Sequence, residues 1–293
     1  MSRVLRPLKI CRFRRLARVE LGRELIIVAL AMATSTLGAI GGLGGAIVLV
    51  PLLTLGGMSI TSAAPLGLVS VIAGSVAAGR RQVSDGTVNH RFAVVTELGA
   101  SSGAIVGVLL SGVLSERVLM WCLAVFALAA ALLGARRKGI RWQPDPSLAR
   151  SDVGERKGSL AGAYLLDDAV VPYAPSRMKL GVALMAVAGV VTGLAGVGGG
   201  FLKTPLSSEV MRLPAKVAAG TSTFTIGLTA SVALVLMAID GRIVASDAAL
   251  VVLGALIGGT LGARVQRRLS PPVVRRTTAL ALVAIAALLV ARA

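Results

Sequence analysis

The sequence predicts an all-α polytopic membrane protein, with about eight transmembrane helices in two four-helix repeats that contain Gly-broken helices. Three observations predict this fold: the apolar content, its distribution in long runs, and an internal repeat. Hydrophobic residues make up 55% of the 293 residues and the mean hydropathy is +0.84, whereas soluble domains are about 45–50% apolar. A helix needs about 20 apolar residues to span a bilayer. The predicted spans are 25–50, 65–80, 92–112, 117–135, 178–202, 217–239, 246–264 and 272–291.

Four segments follow from this distribution. Residues 1–24 form a basic tail, which we expect to lie on anionic lipid at the cytoplasmic face. Residues 25–135 form the first membrane repeat and residues 178–293 the second. Residues 136–177 form a polar, Pro-containing linker between them, with partial disorder as one possibility.

The formal net charge of +18 does not indicate a nucleic-acid partner. The basic residues lie at the ends of apolar runs, where the positive-inside rule places them, and no nucleic-acid-binding motif accompanies them. With both termini and the linker inside, most of the basic residues are cytoplasmic. The basic cluster at 264–276 disagrees with this topology.

The internal repeat consists of ordered matches between the two halves. Pro51 matches Pro205, and Gly44 matches Gly198, both at an offset of 154. At an offset of 155, a ladder of three glycines in the third span of each half matches: Gly99, Gly103 and Gly107 with Gly254, Gly258 and Gly262. Such small-xxx-small steps let helix backbones approach closely. Because each half has four predicted spans, an even number, we expect the halves to share one orientation.

A Gly-rich break that leads to a proline interrupts the first span of each half. Gly and Pro destabilise a helix interior by about 1 and 3 kcal/mol relative to Ala. Backbone freed at a break persists in a membrane only where it is buried in protein or lines a wet cavity. Matched breaks of this kind indicate a transporter's binding site, and their helix ends, with unpaired N–H groups, favour anions. We therefore predict that these residues bind substrate, with tight helix packing as the alternative: Gly44, Gly45, Pro51, Gly198, Gly199, Gly200 and Pro205.

Polar side chains near the second break extend this site. Lys203 is an intramembrane lysine that either attracts an anion or snorkels to the interface, and its repeat counterpart is Leu49. The hydroxyls of Thr221 and Ser222 either donate to an oxyanion or bond to their own helix, as does that of Thr223. Glu97 is either a proton-coupling carboxylate or a partner of Arg91; we favour the pairing with Arg91.

The sequence does not favour an enzyme. The two cysteines, Cys11 and Cys122, and the single histidine, His90, provide no disulfide framework, metal cluster or catalytic triad. We interpret His90 as a solvated loop residue. The HExxH, GxSxG and P-loop motifs are absent. We therefore predict no catalytic residues, no metal site and no cofactor.

With these motifs the chain resembles the TauE/SafE family of sulfite and organosulfonate exporters. The resemblance rests on the doubled Gly-to-Pro element, the Ala218-Ala219-Gly220-Thr221-Ser222 segment, the Asp-Gly before the third helix and the glycine ladders. The first half departs from it, because Ala64-Pro65-Leu66-Gly67 lacks the Thr-Ser pair. The resemblance implies a multi-pass secondary transporter or permease for a small anion in a cell membrane, such as the bacterial inner membrane. The alternatives are a non-transporting anchor or assembly subunit and a passive anion channel; the sequence leaves the oligomeric state open.

Overall fold

The computed structural model describes residues 6–41, 44–84, 86–136, 145–166, 169–266, 280, 283–284 and 286–291. This part of the chain is mostly helical, which confirms a polytopic helical membrane protein. Six of its helices are long and apolar enough to cross a membrane: Gly22–Ile40, Ile60–Ser84, His90–Ser111, Met178–Ala195, Ala215–Ile239 and Ala245–Gly262. The predicted span at 272–291 and the cluster at 264–276 lie largely outside the described residues.

The elements, in chain order, are α1 (Arg6–Gly41), α2 (Ala46–Leu55), α3 (Ile60–Ser84), α4 (His90–Ser111), α5 (Glu116–Arg136), β1 (Gly154–Glu155), β2 (Gly162–Leu166), β3 (Ala169–Tyr173), α6 (Met178–Ala195), α7 (Gly200–Pro205), α8 (Ala215–Ile239) and α9 (Ala245–Gln266). A 3₁₀ turn, Arg150–Asp152, precedes β1, and a π-helical turn, Leu206–Val210, follows α7.

The glycine ladders lie where helices from opposite halves are in backbone contact. A β-carbon on Gly99 would lie 2.6 Å from the carbonyl oxygen of Val182, and Gly103 and Gly107 approach α6 in the same way. The second ladder lies against α1, where a β-carbon on Gly254 would lie 2.5 Å from the carbonyl oxygen of Val28. The predicted close approach of backbones is therefore confirmed. Along each ladder, successive glycines contact successively later residues of the partner helix. These residues are Val182, Ala186 and Val190 in α6, and Val28, Met32 and Thr36 in α1. Each ladder therefore joins two parallel helices.

The matched helices α3 and α8 run in opposite directions. Ser75, in the second half of α3, donates to the carbonyl oxygen of Thr223, near the start of α8 (2.8 Å). Thr87, beyond the end of α3, lies against Gly220, still nearer the start of α8. We predicted one orientation for both halves from four spans in each. That prediction is wrong.

The reason is that each Gly break turns the chain back. The amide of Ser176, just before α6, donates to the carbonyl oxygen of Met211, just after the π-helical turn (2.9 Å). The segment from α7 to Met211 therefore returns alongside α6. In the first half, Gly45 lies against Ser35 of α1, so α2 also begins by turning back. The predicted spans 25–50 and 178–202 are thus each a longer helix followed by a short returning one.

The two ends of the helical bundle differ. At one end, the sheet end, the amide of Asn89 at the start of α4 donates to the hydroxyl oxygen of Thr221 at the start of α8 (3.0 Å). At the other, the far end, Arg23 pairs with Asp247 at the start of α9 (2.6 Å), and Arg242 donates to Ser111 at the end of α4 (2.8 Å). The start of the membrane part of α1 and the linker are therefore at opposite ends. We predicted that the tail and the linker lie on the same, cytoplasmic side of the membrane. Their placement at opposite ends of the bundle contradicts a shared side.

The linker contains a small antiparallel sheet in the order β1-β2-β3, which the all-α prediction does not include. Tyr164, Val171 and Tyr173 pack into one apolar cluster with residues of α4 and α8, including Phe92. The Asn89 side chain also donates to the Tyr173 hydroxyl (3.1 Å). Burial raises the pKa of Tyr173, so the phenol stays protonated. The predicted partial disorder does not apply to the described linker residues; residues 137–144 and 167–168 lie outside them.

The directions of the helices predict which loops share a face of the membrane. Single cysteines at Lys157, Lys216 and Val244 are introduced after Cys11 and Cys122 are replaced by serine. A membrane-impermeant maleimide is expected to label Lys157→Cys and Lys216→Cys from one side and Val244→Cys from the other. Labelling of Lys157→Cys from the same side as Val244→Cys, opposite to Lys216→Cys, would restore the topology predicted from the sequence.

Because the helix backbones are in contact at the ladders, even a methyl group at a ladder glycine is expected to destabilise the protein. Gly103→Ala places a methyl group against the carbonyl of Ala186, and we expect a loss of at least about 1 kcal/mol in the free energy of unfolding. Gly74→Ala is the matched control, because a β-carbon there meets no atom within 4 Å. Thermal unfolding in detergent measures both. Equal melting temperatures would refute backbone contact at Gly103.

Candidate functional site

The two Gly breaks meet between α3 and α8. Gly44 and Gly198 both adopt left-handed backbone conformations (φ 78° and 60°). A β-carbon on Gly44 would lie 3.7 Å from a Val71 methyl group and 3.6 Å from one of Ile226. A β-carbon on Gly198 would lie 2.6 Å from the same Val71 methyl group. The structure therefore places the two breaks beside one residue at the centre of the bundle.

The second break is internally hydrogen-bonded. The amide of Gly199, at the start of α7, donates to the Thr192 hydroxyl (2.7 Å), and that of Gly200 donates to the carbonyl of Gly198 (2.7 Å). A β-carbon on Gly199 would lie 2.8 Å from the carbonyl oxygen of Ala188. We expected the break to present unpaired amides to a ligand. For Gly199 and Gly200 that expectation is wrong, because the turn back brings their amides to acceptors in the chain.

The two predicted prolines lie in the returning helices. Pro51 lies inside α2 and Pro205 ends α7, and both are buried. A proline cannot donate a backbone hydrogen bond, and the π-helical turn begins directly after Pro205. Gly45 precedes the first residue of α2 and accepts the amide of Leu49 (3.0 Å). These residues shape the breaks and contribute no side-chain donor.

A buried ion pair joins three helices next to the second break. Lys203 Nζ on α7 lies 2.8 Å from Glu97 Oε2 on α4, and the two residues are 2% and 9% exposed. Lys203 also donates to the hydroxyl of Thr229 on α8, which donates to Glu97 Oε1. Ser101 donates to the same oxygen (2.9 Å). We call these four residues the ion-pair cluster.

This cluster corrects two predictions. Glu97 does not pair with Arg91, whose Nε lies 3.8 Å from Glu155 instead. Lys203 does not snorkel to the interface, because the returning segment places its side chain inside the bundle. The sequence interpretation also missed Ser101 and Thr229. The signal that was present is that two opposite charges, Glu97 and Lys203, each interrupt an apolar run.

The cluster lies within about one helical turn of both breaks. The amide of Lys203 donates to the carbonyl oxygen of Gly199 (2.8 Å), so Lys203 is in the first turn of α7. Thr229 lies three residues beyond Ile226, whose side chain is beside Gly44. The charged groups and the backbone breaks therefore form one region.

The cluster has no charged counterpart in the repeat. The offsets that relate the halves carry Glu97, Lys203 and Thr229 onto Val252, Leu49 and Gly74. Leu49 is completely buried in the main apolar core. The corresponding region, between α9 and the first-half helices α2 and α3, is therefore formed by apolar residues and glycine.

The predicted hydroxyl donors near the start of α8 have other partners. The Thr221 hydroxyl oxygen accepts the amide of Asn89 and so positions the start of α4 at the sheet end. Thr223 donates to the carbonyl of Ala219 (2.9 Å), as the own-helix alternative predicted. Ser222 is buried beside them. Thr221 lies two turns from Thr229 toward the sheet end, and the structure does not bring it to the ion-pair cluster.

The described residues contain no group of three or more His, Cys, Asp or Glu side chains that could hold a metal ion. His90 is half-exposed and its Nδ1 lies 2.8 Å from Glu155 of β1. Asp240 directly follows the last residue of α8 and pairs with Arg242 (2.8 Å), so it is a turn residue. None of these groups faces the Gly breaks.

Comparisons with known proteins agree with the geometry. The family model described as sulfite exporter TauE/SafE matches residues 27–289, which confirms the resemblance. Probable membrane transporter protein YunE of Bacillus subtilis (strain 168) is 29% identical over 254 residues, covering 83% of this chain and 89% of that protein. No solved structure matches the chain significantly. Together with the six candidate spans, these matches identify a multi-pass cell-membrane protein.

Because Lys203 and Glu97 pair directly, the losses of stability caused by replacing each of them are expected not to add. Lys203→Met or Glu97→Gln alone leaves the other group without its charged partner, and each is expected to lower the free energy of unfolding by about 3–5 kcal/mol. The double variant is expected to be more stable than Lys203→Met. Thermal unfolding in detergent measures the cycle, with the half-exposed Arg91→Gln as a control that changes stability by less than about 1 kcal/mol. Additive losses would contradict direct pairing.

Proposed function

This chain belongs to the sulfite exporter TauE/SafE family, and we propose that it is a secondary transporter or permease that moves a small anion of the sulfite or organosulfonate class. Membership of the family and the similarity to a probable membrane transporter support transport across the cell membrane. The anion class comes from the family description. The meeting of the two Gly breaks beside a buried lysine is the observation that carries the proposal.

The chemistry of the region suits a small oxyanion. The ammonium of Lys203 and the hydroxyls of Ser101 and Thr229 are donors that sulfite or sulfonate oxygens accept. Gly44 and Gly198 let the backbone turn through left-handed conformations that other residues rarely adopt, and at Gly198 a β-carbon would also clash with Val71. A dry anchor would not need this polar region, since the positions that the repeat relates to it carry no polar side chain. The ion-pair cluster therefore favours a transporter over a non-transporting subunit.

We further propose that the membrane part consists of two repeats, each of four long helices and one short returning helix. The first repeat contains α1, α3, α4 and α5 with α2, and the second contains α6, α8, α9 and a C-terminal helix with α7. Support comes from the matched ladders, in which α4 packs on α6 as α9 packs on α1. With five segments per repeat the halves are inverted, which agrees with the opposite directions of α3 and α8. Inverted halves are a common basis of alternating access in transporters.

The proposal is tested by flux in proteoliposomes with sulfite, sulfate and methanesulfonate. Wild-type protein is expected to give saturable flux of at least one of these anions. Gly199→Leu, which forces a side chain against α6, is expected to lower the flux at least about tenfold, and so is Lys203→Ala. Gly22→Leu is the matched control, because a β-carbon there meets no atom within 4 Å.

Three outcomes would contradict parts of this proposal. Absence of flux for every anion would favour the non-transporting subunit. Flux that does not saturate would indicate a passive channel. Full flux in folded Lys203→Ala would remove the lysine from the substrate path.

A further inference from the structure

The ion-pair cluster is electrically balanced in the described structure. Glu97 Oε2 accepts from Lys203, while Glu97 Oε1 accepts from Ser101 and Thr229. Both carboxylate oxygens are therefore satisfied, and the ammonium charge is neutralised within 2.8 Å. A substrate anion at Lys203 would be a second negative charge at one buried ammonium.

Two anionic groups at one buried cation repel each other, and a carboxylate in such a pair is neutralised by taking up a proton. Protonation of Glu97 restores the balance, because one ammonium then faces one anion. The step adds one proton to the carboxylate and changes no other covalent bond. The neutral carboxyl can donate to the Thr229 hydroxyl, which previously donated to it, so this hydrogen bond is kept with its direction reversed.

No other titratable side chain is buried beside the pair among the described residues of the helices that carry it and of α6. Among the described residues of α4, α6, α7, α8 and the π-helical turn, Glu97 and Lys203 are the buried titratable groups. The others are all exposed: His90, Arg91, Lys179, Glu209 and Lys216. The counterpart positions Val252 and Leu49 cannot titrate.

We propose that Glu97 is a proton site coupled to anion binding at Lys203, so that each anion bound is accompanied by one proton on Glu97. This inference rests on the proposed function and deepens it by naming the coupling ion. It also assigns the charged region, to which both halves contribute, to coupling, and leaves the corresponding apolar region around Leu49 and Val252 as scaffold. Binding of the anion and binding of the proton are then reciprocal, because each changes the affinity for the other by the same factor.

The test is the pH dependence of anion affinity for the full chain in detergent. Methanesulfonate is the probe, because its sulfonate does not titrate between about pH 5 and pH 9. As the pH rises, wild-type affinity is expected to fall about tenfold for each pH unit, since one proton is linked to each anion bound. Glu97→Gln is expected to bind with no pH dependence and more tightly than wild type at high pH, because Lys203 has lost its competing carboxylate. Glu116→Gln, an exposed carboxylate at the start of α5, is the control that keeps the wild-type slope.

A second measurement, of proton uptake, needs no variant when methanesulfonate is the probe. In weakly buffered solution, anion binding by wild-type protein is expected to take up about one proton per anion. Sulfite binding is measured in the same way. The proton uptake seen with Glu97→Gln is subtracted, so that the titration of sulfite itself cancels.

Binding without proton uptake, or a pH dependence that survives in Glu97→Gln, would overturn the coupling and leave the proposed transport intact. Binding of neither methanesulfonate nor sulfite, together with absence of flux, would overturn both.

Discussion

Close backbone contact between the two halves is the constraint on which the rest of this structure depends. Lipid offers no strong hydrophobic drive for helices to associate, so tight packing through small residues has to supply it. The ladder that begins at Gly99 brings α4 against α6, and the ladder that begins at Gly254 brings α9 against α1. Each contact joins one half of the chain to the other. This interleaving holds α3 and α8 face to face and thereby places the two Gly breaks at the centre.

The returning helices decide where the charges lie. In a continuous span, Lys203 would lie near a membrane edge, where its long side chain could reach water. Because the chain turns back at Gly196 and Gly198, both in left-handed conformations, α7 lies inside the bundle and Lys203 meets Glu97. A buried charge is tolerated only with a partner and hydrogen bonds, and Ser101 and Thr229 provide the remaining ones. The same turn therefore creates both the break and the ion pair.

The parts of this arrangement that depend on local chemistry could be predicted from the sequence. Glycine and proline act on the residues around them, so the breaks near Gly44 and Gly198 and the ladders were recognisable, and the ladder glycines do lie at backbone contacts. The pairing of Glu97 with Lys203 joins positions 106 residues apart and depends on how helices from both halves assemble. The relative orientation of the halves depended on two short helices that hydropathy alone merges with their neighbours. The linker sheet was missed because its strands have at most five residues.

The most direct measurement of the central claim is a crystal structure with bound selenate, a sulfate analogue whose selenium scatters anomalously. We predict an anomalous peak between the two Gly breaks, within hydrogen-bond distance of Lys203 Nζ, with Glu97 no longer the sole charged partner of the lysine. An anomalous peak elsewhere in the bundle, with the Glu97–Lys203 pair intact and closed to the anion, would contradict it.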